Sequence, residues 1–268
     1  VQKQLQKGEM CTLDFLKYAA RLYVKGVEVL DSFIPKDTQG LSAIKTKLEQ
    51  TGFEIVSYGI DHPSKGQDLE SIKEGIKVAQ QLGASYIRVL GTLASSATAS
   101  EVEDFVRQAL DVFLPEIENT ELILCVENQG NSGFSSSSLI NILKQTASNQ
   151  VRMSLNLANC VLAGEDPQRV IEQLQGEIAY VQATDLRHVG DQEDQNSPLV
   201  GAILGLGLVP LDSLVERLHG EGYQGWISVE FTGLEDVFFG IEASLKNLHQ
   251  VLYEFANKGV SASGEPWP

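Results

Sequence analysis

Seven short runs rich in β-branched and aromatic residues recur along the chain: GVEVLDSF (26–33), FEIVSYGI (53–60), SYIRVLG (85–91), ELILCVEN (121–128), VRMSLNL (151–157), IAYVQAT (178–184) and GWISVEF (225–231). Each has the length and composition of a strand. The segments between them carry apolar residues at helical spacing. SEVEDFVRQALDVFL opens with Ser100 and Glu103, the spacing of a capping box ahead of an apolar stripe. DLESIKEGIKVAQQLG stops at Gly83, where a left-handed residue is expected, and DPQRVIEQLQG sets Pro167 near a helix start and Gly176 at its end. Strand and helix in regular alternation predict parallel βαβ units with helices outside the sheet.

A doubly wound open sheet and a (β/α)8 TIM barrel both produce that rhythm, and the two faces of the strands separate them. Cys125 and Glu127 share a face against Leu124 and Val126; Ser154 and Asn156 share one against Met153 and Leu155. Tyr180 and Gln182 stand opposite Val181 and Ala183, and Ser228 and Glu230 opposite Ile227 and Val229. A polar residue thus falls at the matching place in four strands. A barrel interior built in layers, with functional groups at the C-terminal strand ends, accounts for this. An open sheet does not. The expected fold is therefore an α/β (β/α)8 TIM barrel over 1–258 as one domain, with 259–268 as a loosely ordered tail. The chain opens on a helix-like stretch, TLDFLKYAARLYV, so the barrel's first strand is expected outside the 268 residues.

Composition narrows the partners. A net charge of −16 repels phosphate backbones and anionic lipid, so nucleic acid and membrane surfaces are not expected as partners. Cys11, Cys125 and Cys160 are odd in number and form no C-x-x-C pair, which suits free thiols in a cytoplasmic protein. Oligomeric state is not legible.

The residues meeting at the strand ends, Glu127, Asn156, Gln182 and Glu230, lie within a run of landmarks. These are GVEVLD (26–31), HP (62–63), VENQG (126–130), NLANCVLAGEDP (156–167), YVQATDLR (180–187) and GYQGWISVEFTG (222–233). In order and spacing they resemble the xylose isomerase-like TIM-barrel superfamily of sugar and sugar-phosphate isomerases and epimerases, which includes the family 2 AP endonucleases. The resemblance implies a divalent metal held by Glu, Asp, His and Glu. It places the two glutamates on Glu127 and Glu230, the Asp on Asn156 and the His on Gln182. It also finds Thr184 where the family has Lys, and GLG (205–207) where it has G-E-G. Neutral amide oxygens are weaker and harder donors than carboxylate or imidazole, so Mg or Mn is expected before Zn, weakly held or absent.

The implied reaction is proton transfer next to a carbonyl through an enediolate, with Glu127 and Glu230 as the catalytic acids and bases and a sugar or polyol as substrate. The alternative is a noncatalytic sugar- or polyol-binding pseudoenzyme of the same fold, in which Asn156 and Gln182 belong to a hydrogen-bonded network. His62 is read as a substrate group or a turn residue. Arg187 is read as a substrate group or the partner of Asp185 or Glu230, and Asn159 as a substrate group or the fixer of a strand-to-helix turn. One of Glu28 and Asp31 is expected to face the pocket. HVGDQEDQNSPLVG (188–201) reads as a lid or solvated loop, Gly205 and Gly207 as turn glycines, and SSSS (135–138) as a loop with a helix cap. His219 and His249 are expected on helix surfaces.

Overall fold

A computed structural model describes residues 2–66, 68–91, 93, 96–130, 135–174, 176–189 and 198–259. The tail from 260 onward and residues 190–197 of the polar loop lie outside the described residues. The chain begins with α1 (Gln2–Gln6) and α2 (Thr12–Ala19), then β1 (Gly26–Leu30), α3 (Thr38–Thr51), β2 (Glu54–Asp61), α4 (Leu69–Gln81) and β3 (Tyr86–Leu90). It continues with α5 (Ala99–Ile117), β4 (Ile123–Glu127), α6 (Ser136–Gln145), β5 (Val151–Asn156), α7 (Leu157–Leu162) and α8 (Pro167–Leu174). The last elements are β6 (Ile178–Ala183), β7 (Asp185–His188), β8 (Leu199–Ala202), α9 (Leu211–Gly220), β9 (Trp226–Val229) and α10 (Val237–Gly259).

Strand neighbours follow the order β1-β2-β3-β4-β5-β6-β9. That is the connectivity of an α/β barrel, since a doubly wound sheet reverses its order at a switch point. Two compact units make up the chain. One comprises residues 1–127 and 141–153, the other 128–140 and 154–268.

In the first unit β1 to β4 pair in parallel, and their register defines what each face carries. Val29, Tyr58, Ile87 and Leu124 form one row, all buried. Leu30, Gly59, Arg88 and Cys125 form a row on the opposite face. Side chains alternate, so Glu28 and Glu127 share that second face. A Cβ on Gly59 would crowd the ends of the Leu30 and Leu90 side chains, which would have to shift to admit it. In the second unit β6 pairs in parallel with β9, aligning Gln182 with Ser228, and β7 pairs antiparallel with β8.

Local chemistry fixes the helix ends. Asp37 caps α3 by accepting from the Gly40 N–H at 2.9 Å, and Gly52 closes the helix in a left-handed conformation. Gly83 and Gly176 also have positive φ, as their positions predict. The capping box of α5 lies two residues earlier than expected. Thr98 and Glu101 form it, with the Glu101 carboxylate accepting from the Thr98 N–H at 2.7 Å. Glu103, left inside the first turns, pairs instead with Arg107 one turn on. The serine run is mostly helix rather than loop. Ser136 begins α6, and Ser135 accepts from the Ser138 N–H at 3.1 Å. Among the described residues no helix is long and apolar enough to cross a membrane.

Candidate functional site

The inner face of the first unit carries a charged clamp. Arg88 projects from the middle of β3. One of its terminal nitrogens donates to Glu127 Oε2 at 2.8 Å, and the other contacts the Glu28 carboxylate. The three side chains are 12–19% exposed, sheltered enough for the charges to feel one another more than surface pairs do. Glu127 is the last residue of β4, so it stands at the C-terminal strand end. Of the two acids near the end of β1, Glu28 joins the clamp. Asp31 instead accepts from the buried Tyr58 hydroxyl at 2.6 Å and pairs with Lys36. Burial, then the Asp31 charge, pushes the Tyr58 phenol far up, so it stays a donor. Cys125, in the Arg88 row, is fully buried, and burial raises its thiol.

The second unit carries neutral amides instead. Asn156 ends β5 and caps α7, its Oδ1 accepting from the Asn159 N–H at 3.3 Å and from the Thr184 hydroxyl. Its Nδ2 donates to Gln182 Oε1 at 3.3 Å, and Gln182 Nε2 reaches the Tyr180 hydroxyl at 3.4 Å. Asn128 pairs with the Asn156 backbone in both directions, accepting its N–H at 2.7 Å and donating to its carbonyl at 3.1 Å. Asn159 Nδ2 donates to the Asn128 carbonyl at 2.7 Å, and Thr184 Oγ1 accepts from the Ala158 N–H at 3.1 Å. The amides are therefore satisfied by one another, which answers the cost of burying them. Glu230 follows β9 directly, its N–H at 3.4 Å from the Ala183 carbonyl, and its residue is half-buried.

The remaining candidates have partners within the protein. His62 is fully buried and stacks on Phe105, ring centroids 3.6 Å apart. Its Nδ1 accepts from the Ser64 N–H at 3.0 Å, so Nε2 carries the hydrogen and donates to the Phe105 carbonyl at 2.8 Å. That is the geometry of a turn residue. Arg187 pairs with Glu235 at 3.1 Å, rather than with Asp185 or Glu230 as a salt bridge was expected to. Asp185 is occupied elsewhere: its oxygens accept from the N–H groups of Leu186, Gly205, Gly207 and Val209, all at 2.8–3.0 Å. Burial pushes the Asp185 carboxyl up while these four donors pull it back down. A Cβ on Gly207 would collide with the Leu186 carbonyl and the Asp185 carboxylate, so Gly205 and Gly207 are turn glycines serving Asp185. His219, on α9, tilts against Phe255, ring centroids 4.8 Å apart.

A sequence profile described as xylose isomerase-like TIM barrel matches residues 16–254. The chain belongs to that family. Inosose dehydratase from Lacticaseibacillus casei is 31% identical over 98 residues, which span 33% of this chain and 33% of that protein. The match thus covers about a third of that relative's length. Among solved structures, 3-keto-D-glucoside 4-epimerase from E. coli superposes with a TM-score of 0.69 at 14% identity, covering 89% of this chain and 94% of that one. A xylose isomerase-like TIM barrel protein from Mycobacterium smegmatis in complex with magnesium gives 0.70 at 14% identity, with 90% and 88% covered. These likenesses show the fold, an α/β TIM barrel.

The metal implied by the xylose isomerase-like family can be tested against the donors present. Glu127 is paired with a guanidinium that it shares with Glu28. The amide oxygens of Asn156 and Gln182 already accept hydrogen bonds. Among the described residues no three His, Cys, Asp or Glu side chains are grouped so as to hold an ion. The donor set does not fit a tightly held divalent cation, and the chemistry that follows is assigned to the chain's own groups.

Arg88 is the residue that the strand pattern hides. The signal was present in SYIRVLG, where a charge interrupts an apolar strand on the face of Tyr86 and Leu90.

Proposed function

We propose that this chain binds a small sugar or sugar-like polyol and moves a proton at a carbon next to its carbonyl, as an isomerase or epimerase. The reading rests on one observation. Glu127 and Glu230 each stand at the C-terminal end of a parallel strand, where this fold keeps its reactive groups. A carboxylate takes the proton from the C–H bond, and the bond's electron pair moves to the carbonyl oxygen, giving an enediolate. Returning a proton to the neighbouring carbon gives the isomer, and returning it to the other face of the same carbon gives the epimer. Glu127 and Glu230 are assigned these two transfers.

Incubating the protein in deuterated water with a panel of ketoses and aldoses, with and without Mn or Mg, tests the reading by loss of substrate C–H signals in NMR spectra. Exchange is expected with at least one sugar. Glu127→Gln and Glu230→Gln should each lower its rate by about 10²–10⁴-fold, the usual worth of a positioned acid or base. Unchanged exchange in either variant removes that residue from the assignment. The saturated amides of Asn156 and Gln182 favour a second reading, a sugar-binding protein without turnover. Sugar binding by calorimetry with no exchange under any condition would select it.

A further inference from the structure

We propose that the Arg88 guanidinium is the permanent counter-charge of Glu127, standing in for a divalent cation, so that Glu127 acts without metal. Two observations on the inner face of the first unit, with the chemistry of guanidinium, carry this. Arg88 donates to Glu127 Oε2 at 2.8 Å and holds Glu28 on its other terminal nitrogen, so one cation serves two carboxylates. The group is sheltered, with side chains 12–19% exposed, which keeps solvent from screening a cation brought up to Glu127 against the guanidinium. Planar guanidinium matches carboxylate geometry and never loses its proton, so the charge does not depend on conditions as a bound ion's occupancy does. Arg88 is thus a positioning residue. It fixes the orientation of the Glu127 carboxylate and excludes a competing ion. The consequence for catalysis rests on the assignment of Glu127 made above, whereas the exclusion of metal does not.

Mn²⁺ titration of the full chain, followed by the electron paramagnetic resonance signal of free Mn²⁺, separates the two. Wild type is expected to leave Mn²⁺ free, and Glu127→Gln to behave identically. Arg88→Met leaves Glu28 and Glu127 without their shared cation, and should raise Mn²⁺ affinity by about tenfold or more. That gain should vanish in the double variant Arg88→Met with Glu127→Gln. A merely structural ion pair predicts no such Glu127-dependent gain. Arg88→Lys keeps the charge and should match wild type. A stoichiometric Mn²⁺ site in wild type that Glu127→Gln abolishes overturns the proposal, and this comparison needs no folded Arg88 variant. Sugar exchange by wild type that appears only with added Mn²⁺ or Mg²⁺ would overturn the claim that Glu127 acts without metal, whereas no exchange under any condition would remove the catalytic assignment of Glu127 and leave the counter-charge to the Mn²⁺ titration.

Discussion

The two compact units answer the same problem, polar side chains on an inner strand face, in opposite ways. The first places two carboxylates around one guanidinium. The second, Glu230 aside, uses carboxamides, a hydroxyl and backbone groups that satisfy one another within an uncharged network. A charged cluster gains from Coulomb attraction but becomes costly once a partner is lost, because the residual charge has left water. An amide network is neutral throughout, so its loss costs unmade hydrogen bonds and little more. The charged half is thus tightly interdependent and the amide half tolerant, although both stand at strand ends.

Removing the cation should show the larger effect. Arg88→Met strands two acidic groups in a sheltered site and is expected to lower unfolding free energy by about 3 kcal/mol, with the side chains' partial exposure setting it below fully buried cases. Urea denaturation measures it. Adding Glu28→Gln should recover a good part of the loss, since one acid deprived of Arg88 then remains in place of two. Failure of that rescue would mean that packing of the Arg88 stem, not charge, holds the site.

Breaking the amide network should cost less. Asn156→Ala removes the cap of α7 and the acceptor for the Thr184 hydroxyl, and leaves Gln182 Oε1 without the Asn156 donor. Losing a cap and a buried acceptor amounts to about 2 kcal/mol. Because no charge is exposed or stranded, the loss should be insensitive to salt, whereas the Arg88→Met loss should change with it. Equal salt dependence in the two variants would dissolve the contrast.

How far the chain's pattern announced these regions follows from the range of the interactions involved. Strand alternation alone placed Glu127, Asn156, Gln182 and Glu230 at strand ends, because side-chain period is a local property. The hairpin of β7 and β8 was not foreseen. It is organised by Asp185, which gathers N–H groups about twenty residues later, and no local period records such a contact. His62 was undecided for the same reason. Its partner, the Phe105 carbonyl, is 43 residues away. The helix start at Thr98 was missed because Thr98 with Glu101 and Ser100 with Glu103 have the same spacing, and only backbone conformation chooses between them. Arg88 was legible as an anomaly in its strand, but its meaning depended on Glu28, sixty positions earlier.

The smallest effect reads each region through its own thiol. Cys125 lies in the Arg88 row, and Cys160 accepts from Asn128 Nδ2 at 3.4 Å, so each reports on one half. Both are buried, and burial pushes the Cys160 thiol up to about 12 and the Cys125 thiol higher still, leaving almost no thiolate at neutral pH. Exposed Cys11 should therefore react with a disulfide reagent at once, and the two buried thiols only through local opening. Under such conditions the slow labelling rate is the opening equilibrium times the intrinsic reactivity. Arg88→Met should then speed Cys125 and leave Cys160 near its wild-type rate, while Asn156→Ala should do the reverse, as mass spectrometry of the labelled peptides would show. If either variant accelerates both thiols equally, the two networks open together and their separate chemistry does not give them separate stability.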